Sequence, residues 1–152
     1  MAEQYRIYVA TSWNNKEEAN AAAEQLRAAG YIVDCRWLSV HDDVPVDDPR
    51  RPEFLKEQAL NDLEDILNSD VFILLNQFQK RGEETSGKAV EMGFAFATQR
   101  PVIMIGEPTN VFHYLDFPQF PDLETAISWM KAREAEAEEE EKDASKLEGA
   151  VR

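Results

Sequence analysis

Residues 70–75, with the sequence DVFILL, decide the fold of this chain. Their continuous apolar run is what a parallel strand buried on both faces requires. Residues 101–106 (PVIMIG) form a second run of this kind, and residues 5–10 (YRIYVA) are rich in aromatic and β-branched side chains. The three segments therefore predict neighbouring strands of one parallel sheet.

Helical segments alternate with these strands. Residues 16–29 are rich in Ala, Glu and Leu and end before Gly30, where a helix is expected to stop. Residues 53–68 carry apolar side chains at helical spacing, and residues 87–99 also predict a helix. The alternation predicts an α/β fold, a three-layer sandwich with a flavodoxin-like, Rossmann-like parallel sheet of about five strands.

Two further segments complete the predicted sheet. Residues 31–37 (YIVDCRW) have the composition of a strand, and residues 111–115 form a short apolar run that predicts an edge strand. A last helix begins at Asp122 and continues into a strongly acidic segment. We predict one domain over residues 1–130, followed by an acidic C-terminal tail over residues 131–152.

Charge and composition exclude several classes of protein. The 152 residues include 30 acidic and 16 basic side chains, which gives a net charge of −14. This balance argues against nucleic acid or an anionic membrane as the main partner. Cys35 is the one cysteine, and no Cys/His cluster has the spacing of a metal site. With no apolar run of membrane-spanning length and no signal-peptide core, we expect a soluble, cytoplasmic protein.

The predicted topology indicates where a ligand would bind. Right-handed crossovers bring every strand-to-helix loop to one edge of a parallel sheet. Ligands of such folds bind outside the carboxyl ends of the strands. The loops of residues 11–15 and 76–86 lie at that edge, so functional side chains are expected there.

The segment of residues 85–95 (TSGKAVEMGFA) carries the first candidate. It predicts a polar loop followed by a helix, with free N–H groups and a positive dipole end near Ser86 and Gly87, and with Ser86 as the N-cap. Glu91 lies about one turn further in, where the dipole would help to keep its carboxylate ionised. From spacing alone, Glu91 is either a solvent-exposed side chain or a carboxylate aimed into a cleft.

Other candidates are ambiguous when each is taken alone. Asp62 is one of several acids on the preceding helix, and most such acids are simply solvated. Tyr8 lies on the first strand, where a tyrosine is more often part of the core. His41 and His113 are isolated from any metal ligand in the sequence, and we interpret both as structural.

Taken together, these residues resemble the nucleoside 2-deoxyribosyltransferase superfamily, which includes nucleoside 5′-monophosphate N-glycosidases. The resemblance covers about residues 5–115 and depends on the order of three short motifs. These motifs are Ile7-Tyr8 followed by Trp13, Asn61-Asp62-Leu63 before Asp70, and Gly87-x-x-x-Glu91-Met92-Gly93-x-Ala95.

The resemblance implies a role for each residue. Glu91 matches the nucleophile, Asp62 the second catalytic carboxylate, and Tyr8 the tyrosine that orients the nucleophile. The residues that it implies for substrate binding are Ser12, Trp13, Thr85, Ser86 and Gly87. It also implies a small-molecule nucleoside or nucleotide as substrate, no metal or organic cofactor, and a homo-oligomer, at least a dimer with shared pockets.

The implied chemistry suits these side chains. Cleavage of an N-glycosidic bond passes through an oxocarbenium-like transition state, as in glycoside hydrolysis. A carboxylate can stabilise that cation and attack it, which gives a covalent glycosyl–enzyme. Attack on this intermediate by a second base makes the protein a transferase, and attack by water makes it a hydrolase.

Departures from the family pattern leave these alternatives open. Transferases of free nucleosides carry an aspartate where this chain has Thr85. The nucleotide hydrolases carry a hydroxyl residue there and a serine matching Ser12, but also an arginine where this chain has Asn14. A third alternative is a non-catalytic nucleotide-binding or protein-interaction module of related fold, in which Glu91 at most contacts a ligand.

Overall fold

The computed structural model describes residues 3–79 and 86–151, so Thr85 lies outside the described residues. Within these ranges the chain forms four strands and four α-helices. In chain order they are β1 (Ile7–Ala10), α1 (Lys16–Ala28), α2 (Arg51–Leu67), β2 (Val71–Leu75), α3 (Ser86–Ala97), β3 (Val102–Ile105), β4 (Gln119–Phe120) and α4 (Leu123–Ala150).

The described strands form one parallel sheet in the order β1-β2-β3-β4. Its register pairs Ile7 with Val71, Phe72 with Val102, and Met104 with Gln119. Strands β1 and β3 are buried throughout, and β2 is buried except at its first residue, as their apolar runs predict. The predicted α/β sandwich is confirmed, with four strands in the described residues instead of five.

The prediction of a strand over residues 31–37 was wrong. Only Ile32 pairs there, in a single bridge with Arg6, and the chain then enters a 3-10 helix at Arg36–Ser39. Side chains replace the missing ladder along β1: the Val9 N–H donates to Cys35 Sγ (3.4 Å), and Trp37 Nε1 donates to the Val9 carbonyl oxygen (2.9 Å).

The misleading signal in this segment is its alternating burial. Tyr31, Val33, Cys35 and Trp37 are buried, whereas Asp34 and Arg36 are exposed. This period of two is that of a strand. The segment keeps the side-chain pattern of a strand, but after the backbone bonds of Ile32 it is the side chains of Cys35 and Trp37 that bond to β1.

The predicted edge strand over residues 111–115 was also wrong, because the chain forms a 3-10 helix at Val111–Tyr114. The side chain of Asn110 accepts a hydrogen bond from the Phe112 N–H (2.9 Å) and so caps this turn. Local capping of this kind competes with strand pairing. The edge position next to β3 is taken instead by β4.

The helices begin and end where the local chemistry predicts. Gly30 follows α1 with a φ of 97°, and the Tyr31 N–H donates to the Leu26 carbonyl oxygen (3.1 Å), as in a Schellman C-cap. Helix α1 packs against β1, α3 packs against α2 and against β1 to β3, and α4 packs against β3 and β4. Asp122 caps α4 by accepting from the Thr125 N–H.

The predicted boundary near residue 130 falls within a helix. Helix α4 runs without interruption to Ala150, with Met130 buried and Glu134 bonded to the Tyr31 hydroxyl (2.6 Å). Beyond this contact, residues 138–150 are exposed. A domain of residues 1–130 with an acidic tail of residues 131–152 stays a prediction.

A close backbone approach fixes the carboxyl edge of the sheet. Gly106 follows β3 with a φ of 103°, and a Cβ atom there would lie 2.6 Å from the backbone nitrogen of Gln77 and 2.8 Å from its Cα. Neither the conformation nor the space suits a larger residue. The loops after β2 and β3 can therefore meet only if this position is glycine.

We expect Gly106→Ala to destabilise the fold by about 1–3 kcal/mol or more, because it adds both a clash and backbone strain. Gly93→Ala is the matched control. Gly93 is an exposed residue of α3 with open space around its Cα, so alanine should stabilise the helix by about 1 kcal/mol. Urea unfolding measures both, and a Gly106→Ala midpoint equal to that of wild type would contradict the predicted contact.

Candidate active site

Helix faces direct both candidate carboxylates toward the sheet. Asp62 lies four residues before Ile66, which is fully buried on α2, and Glu91 lies four residues before Ala95, which is fully buried on α3. Residues four apart share one face of a helix. Because α2 packs against α3, the two carboxyl groups are close enough for the charge of Asp62 to act on Glu91.

Tyr8 of β1 completes the group. The side chain is 1% exposed, and its ring stacks on Phe72 of β2 with centroids 5.6 Å apart. Burial raises the pKa of the hydroxyl far above its ordinary value, and the charges of Glu91 and Asp62 raise it further. The hydroxyl acts as a donor toward Glu91, although within the described residues it makes no hydrogen bond of regular geometry.

The two carboxyl groups hold their protons unusually strongly. Burial raises the pKa of Glu91 to about 8; the charge of Asp62 adds to the rise, and the Tyr8 hydroxyl opposes it. Burial raises the pKa of Asp62 to about 6, with a further rise from Asp65 and an opposing effect of Arg36. Near neutral pH the pair therefore carries about one proton.

This result corrects the expectation that the start of α3 keeps Glu91 ionised. Helix dipoles contribute about 0.3–1 kcal/mol near the first turn. Loss of solvent around a carboxylate is worth more, since each unit of pKa shift corresponds to about 1.4 kcal/mol. Desolvation therefore outweighs the dipole, and Glu91 is mainly protonated at pH 7 in the free protein.

Arg36 lowers the pKa of Asp62 through its positive charge, and the sequence analysis did not identify this residue. Its Nε donates to Asp65 Oδ1 (2.9 Å), and its Nη2 donates to Glu64 Oε2 (2.7 Å). Both acids lie on α2 close to Asp62 in sequence. Arg36 offsets part of their negative charge and so limits the rise in the pKa of Asp62.

The candidate substrate-binding residues after β1 lie at the carboxyl end of that strand. Ser12 is buried, and its carbonyl oxygen accepts from the Asn15 N–H (2.9 Å) to close a 3-10 turn. Trp13 is 45% exposed, and its ring tilts against Trp37 with centroids 6.4 Å apart. An exposed aromatic ring at this edge offers a surface on which a planar ligand can stack.

The other candidate residues open α3. Ser86 and Gly87 are the first two residues of the helix, and both are exposed. The expectation that Ser86 is the N-cap was wrong, since the helix already includes it. Thr85, the remaining candidate, lies outside the described residues.

A polar cluster lies beside these residues and was also missed. Asn76, buried at the end of β2, donates to the Glu107 carbonyl oxygen (2.6 Å) and to Thr109 Oγ1 (3.2 Å). Its Oδ1 accepts from Lys88 Nζ (3.3 Å). The signal in the sequence is the position of Lys88, three residues before Glu91 and thus on a neighbouring stripe of α3.

Two surface clefts in the described structure lie apart from Tyr8, Asp62 and Glu91. One, of about 270 Å³, is charged and is lined by residues that include Arg6, Asp34 and Arg36. The other, of about 550 Å³, is mainly apolar and lies at the amino ends of the strands, beside Phe117 and Trp129. Neither cleft takes in the carboxyl pair.

Two features are absent from the described ranges, residues 3–79 and 86–151. No group of three or more His, Cys, Asp or Glu side chains there is arranged to hold a metal ion. No helix in the same ranges has the length and apolar character needed to cross a bilayer.

Comparison with known proteins identifies the family of this chain. The model of the family described as nucleoside 2-deoxyribosyltransferase matches residues 7–144. The chain belongs to this family. The match spans Tyr8, Asp62 and Glu91, so all three candidate catalytic residues lie inside the family domain.

A solved structure supports the fold of this family member. The CMP N-glycosidase BcmB of Clostridium botulinum superposes with a TM-score of 0.50 and 15% sequence identity, over 83% of this chain and 98% of that one. At this identity the likeness concerns the fold alone. A search of curated proteins found no match to the chain.

The raised pKa of Glu91 predicts an effect on stability. Folding raises this pKa from 4.5 to about 8, so the protein takes up a proton on folding and loses stability as the pH rises through this interval. Glu91→Gln cannot ionise. We expect it to be as stable as wild type near pH 4 and more stable at pH 8, by on the order of 1–3 kcal/mol.

Thermal unfolding from pH 4 to pH 9 measures this difference. Glu57→Gln, a change at an exposed residue of α2, is the matched control and should follow wild type throughout. A Glu91→Gln variant that is no more stable than wild type at pH 8 would show that Glu91 is not desolvated.

Proposed function

We propose that this protein cleaves the N-glycosidic bond of (deoxy)ribonucleosides and transfers the sugar through a covalent glycosyl ester of Glu91. The observation that carries the proposal is the cluster of the partly buried Glu91 and Asp62 with the buried Tyr8 in a chain of this family. A carboxyl pair that holds one proton near neutral pH can supply both a nucleophile and an acid.

In the first step Glu91 attacks C1′ of the sugar as a carboxylate. The bond between C1′ and the base nitrogen breaks, and its electron pair leaves with the base. The proton that Glu91 gives up passes to the departing base, with Asp62 as its carrier. Tyr8 donates toward the Glu91 carboxyl and holds its orientation. The positive charge that develops on the sugar favours ionised Glu91 at the moment of attack.

In the second step an acceptor attacks C1′ and displaces Glu91. An acceptor base gives an exchanged nucleoside, and water gives the free sugar. In either case the proton released by the acceptor returns to the carboxyl pair. Two displacements at C1′ give net retention of configuration.

The second candidate function is hydrolysis of nucleoside 5′-monophosphates at the same bond. The sequence favours it at one position, because Thr85 is a hydroxyl residue and not the aspartate of the transferases. Ser12, Ser86 and Gly87 would then lie around the phosphate, and Trp13 around the base. A non-catalytic nucleotide-binding module is the remaining alternative, and the activity test below separates it from both enzymes.

We also propose that the protein acts as a homo-oligomer. Leu55, Leu60 and Leu67 of α2 and Val90 of α3 are between 44% and 65% exposed in the single chain. Exposed apolar groups on two neighbouring helices are typical of a surface that contacts another subunit. Sedimentation of the purified protein measures this assembly directly.

Glu91→Gln should lower turnover by at least about 10³-fold, because no covalent ester can form on an amide. Asp62→Asn should lower it by about 10²–10⁴-fold through loss of the proton carrier. The assay incubates the protein with a panel of nucleosides and nucleoside monophosphates, with and without an acceptor base, and follows free or exchanged base. Glu57→Gln serves as control, and near-wild-type turnover of Glu91→Gln would refute the proposal.

The two carboxyl pKa values predict a bell-shaped dependence of kcat/KM on pH. Below about 6 Asp62 is also protonated and cannot accept the proton from Glu91, so activity falls. Above about 8 the pair has lost the proton that the base needs, so activity falls again. Initial rates from pH 5 to pH 10 test this, and a profile that keeps rising beyond pH 9 contradicts the shared proton.

A further inference from the structure

Lys88 lacks the kind of partner that most described cations have. In this acidic chain, Lys and Arg side chains generally pair with a carboxylate within 4.0 Å. The paired residues are Arg6, Arg27, Arg36, Arg50, Arg51, Lys56, Lys131 and Lys146. In the ranges that the structure describes, Lys88 has no such partner.

The amine of Lys88 is partly removed from water, and within residues 3–79 and 86–151 it bonds to neutral groups only. It donates to Asn76 Oδ1 (3.3 Å) and to the side-chain oxygen of Gln79. Burial lowers its pKa from the ordinary value, which is the effect expected for a cation without a counter-ion. An anion beside this amine would offset the loss of solvation.

A network across the ends of β2 and β3 builds this position. Asn76, which accepts from Lys88, is 2% exposed and is bonded to the chain after β3 through Glu107 and Thr109. The Thr109 N–H in turn donates to Nδ1 of His113, a side chain that is also 2% exposed. The network of Asn76, Thr109 and His113 therefore holds in place the group to which the amine donates.

Lys88 and this network lie next to the proposed catalytic carboxylate, Glu91. Lys88 and Glu91 are three residues apart on α3, so their side chains leave neighbouring stripes of the same helix. Glu91 reaches toward Tyr8 of β1, and Lys88 reaches toward the end of β2. A substrate with its reacting carbon at Glu91 and an anionic group a few bonds away can touch both.

We propose that Lys88 binds the 5′-phosphate of the substrate, so that the site prefers nucleoside 5′-monophosphates to nucleosides. This inference rests on the proposed function and names its substrate class. A lysine binds phosphate as a point charge and does not need the planar geometry of an arginine. The nucleotide hydrolases carry an arginine where this chain has Asn14, after β1. In our proposal Lys88 supplies the missing positive charge from α3 instead.

The net charge of −14 does not oppose this assignment. A long-range repulsion is screened over about 8–10 Å in physiological salt, whereas a contact with a desolvated amine is not. Among the described residues, Lys16 is another lysine near this edge without a carboxylate partner, but its amine bonds to the Val40 carbonyl oxygen and lies over the Trp13 ring at 4.4 Å. The Lys16 amine thus already has an acceptor and an aromatic ring beside it, so we assign the anionic group of the ligand to Lys88.

The test measures binding in a protein that cannot turn over, so it does not depend on catalysis. In the Glu91→Gln background, calorimetry compares each nucleoside 5′-monophosphate with its nucleoside, before and after Lys88→Met. We expect Lys88→Met to weaken monophosphate binding by about 10- to 100-fold, as loss of a charge-assisted hydrogen bond predicts. Nucleoside affinity should change by less than about twofold, and Lys88→Arg should retain most of the monophosphate affinity.

Lys56→Met, which removes an exposed lysine paired with Glu53 on α2, is the matched control and should change neither affinity. Lys88→Met removes an unpaired charge, so its melting temperature should equal or exceed that of the parent. The inference is overturned if Lys88→Met weakens both ligands equally or neither, or if no monophosphate binds. If the wild-type protein turns over nucleosides without any preference for monophosphates, this inference is overturned and the proposed function stands. If monophosphate binding depends on Lys88 but no substrate is turned over, the proposed function is overturned and this inference stands.

Discussion

The features of the candidate site depend on the partial burial of two carboxyl groups beside a tyrosine. Glu91 and Asp62 lose solvent where α2 packs against α3, and the charges of both raise the pKa of the Tyr8 hydroxyl. Two partly buried carboxylates that lie near each other do not both ionise near neutral pH without a loss of stability. The pair therefore keeps about one proton, and this proton links the stability of the fold to the proposed chemistry.

Each partner of this interaction comes from a different element, so only the complete fold assembles it. Burial of β1, β2 and β3 places Tyr8 against Phe72, and the contact of α2 with α3 brings the two acids near each other and near Tyr8. The same arrangement separates the acidic pair from the amine of Lys88, which the buried Asn76 holds at the end of β2. The partly desolvated Glu91 and Lys88 thus lie three residues apart on α3, and we propose that each contacts a different part of one ligand.

Much of this could be predicted from the sequence, because it depends on patterns of short range. The apolar run of residues 70–75 identified β2, Gly30 marked the end of α1, and the spacing of Asp62 and Glu91 from buried residues agrees with their inward faces. Residues 31–37 were misjudged because side-chain bonds from Cys35 and Trp37 take the place of a backbone ladder. The pKa of Glu91 and the lack of a carboxylate beside Lys88 in the described part of the chain could not be foreseen, since both depend on which other groups the fold brings near them.

The protonation state of Glu91 is the most direct test of the account. Infrared difference spectroscopy of wild-type protein against Glu91→Gln at pH 7 isolates the carbonyl stretch of this one side chain. The account predicts a band of a protonated carboxylic acid in wild type that is lost in the variant and that gives way to carboxylate bands as the pH rises above about 8. A difference spectrum that contains only carboxylate bands at pH 7 would mean that Glu91 is solvated and ionised, and would contradict the shared proton on which the proposed mechanism depends.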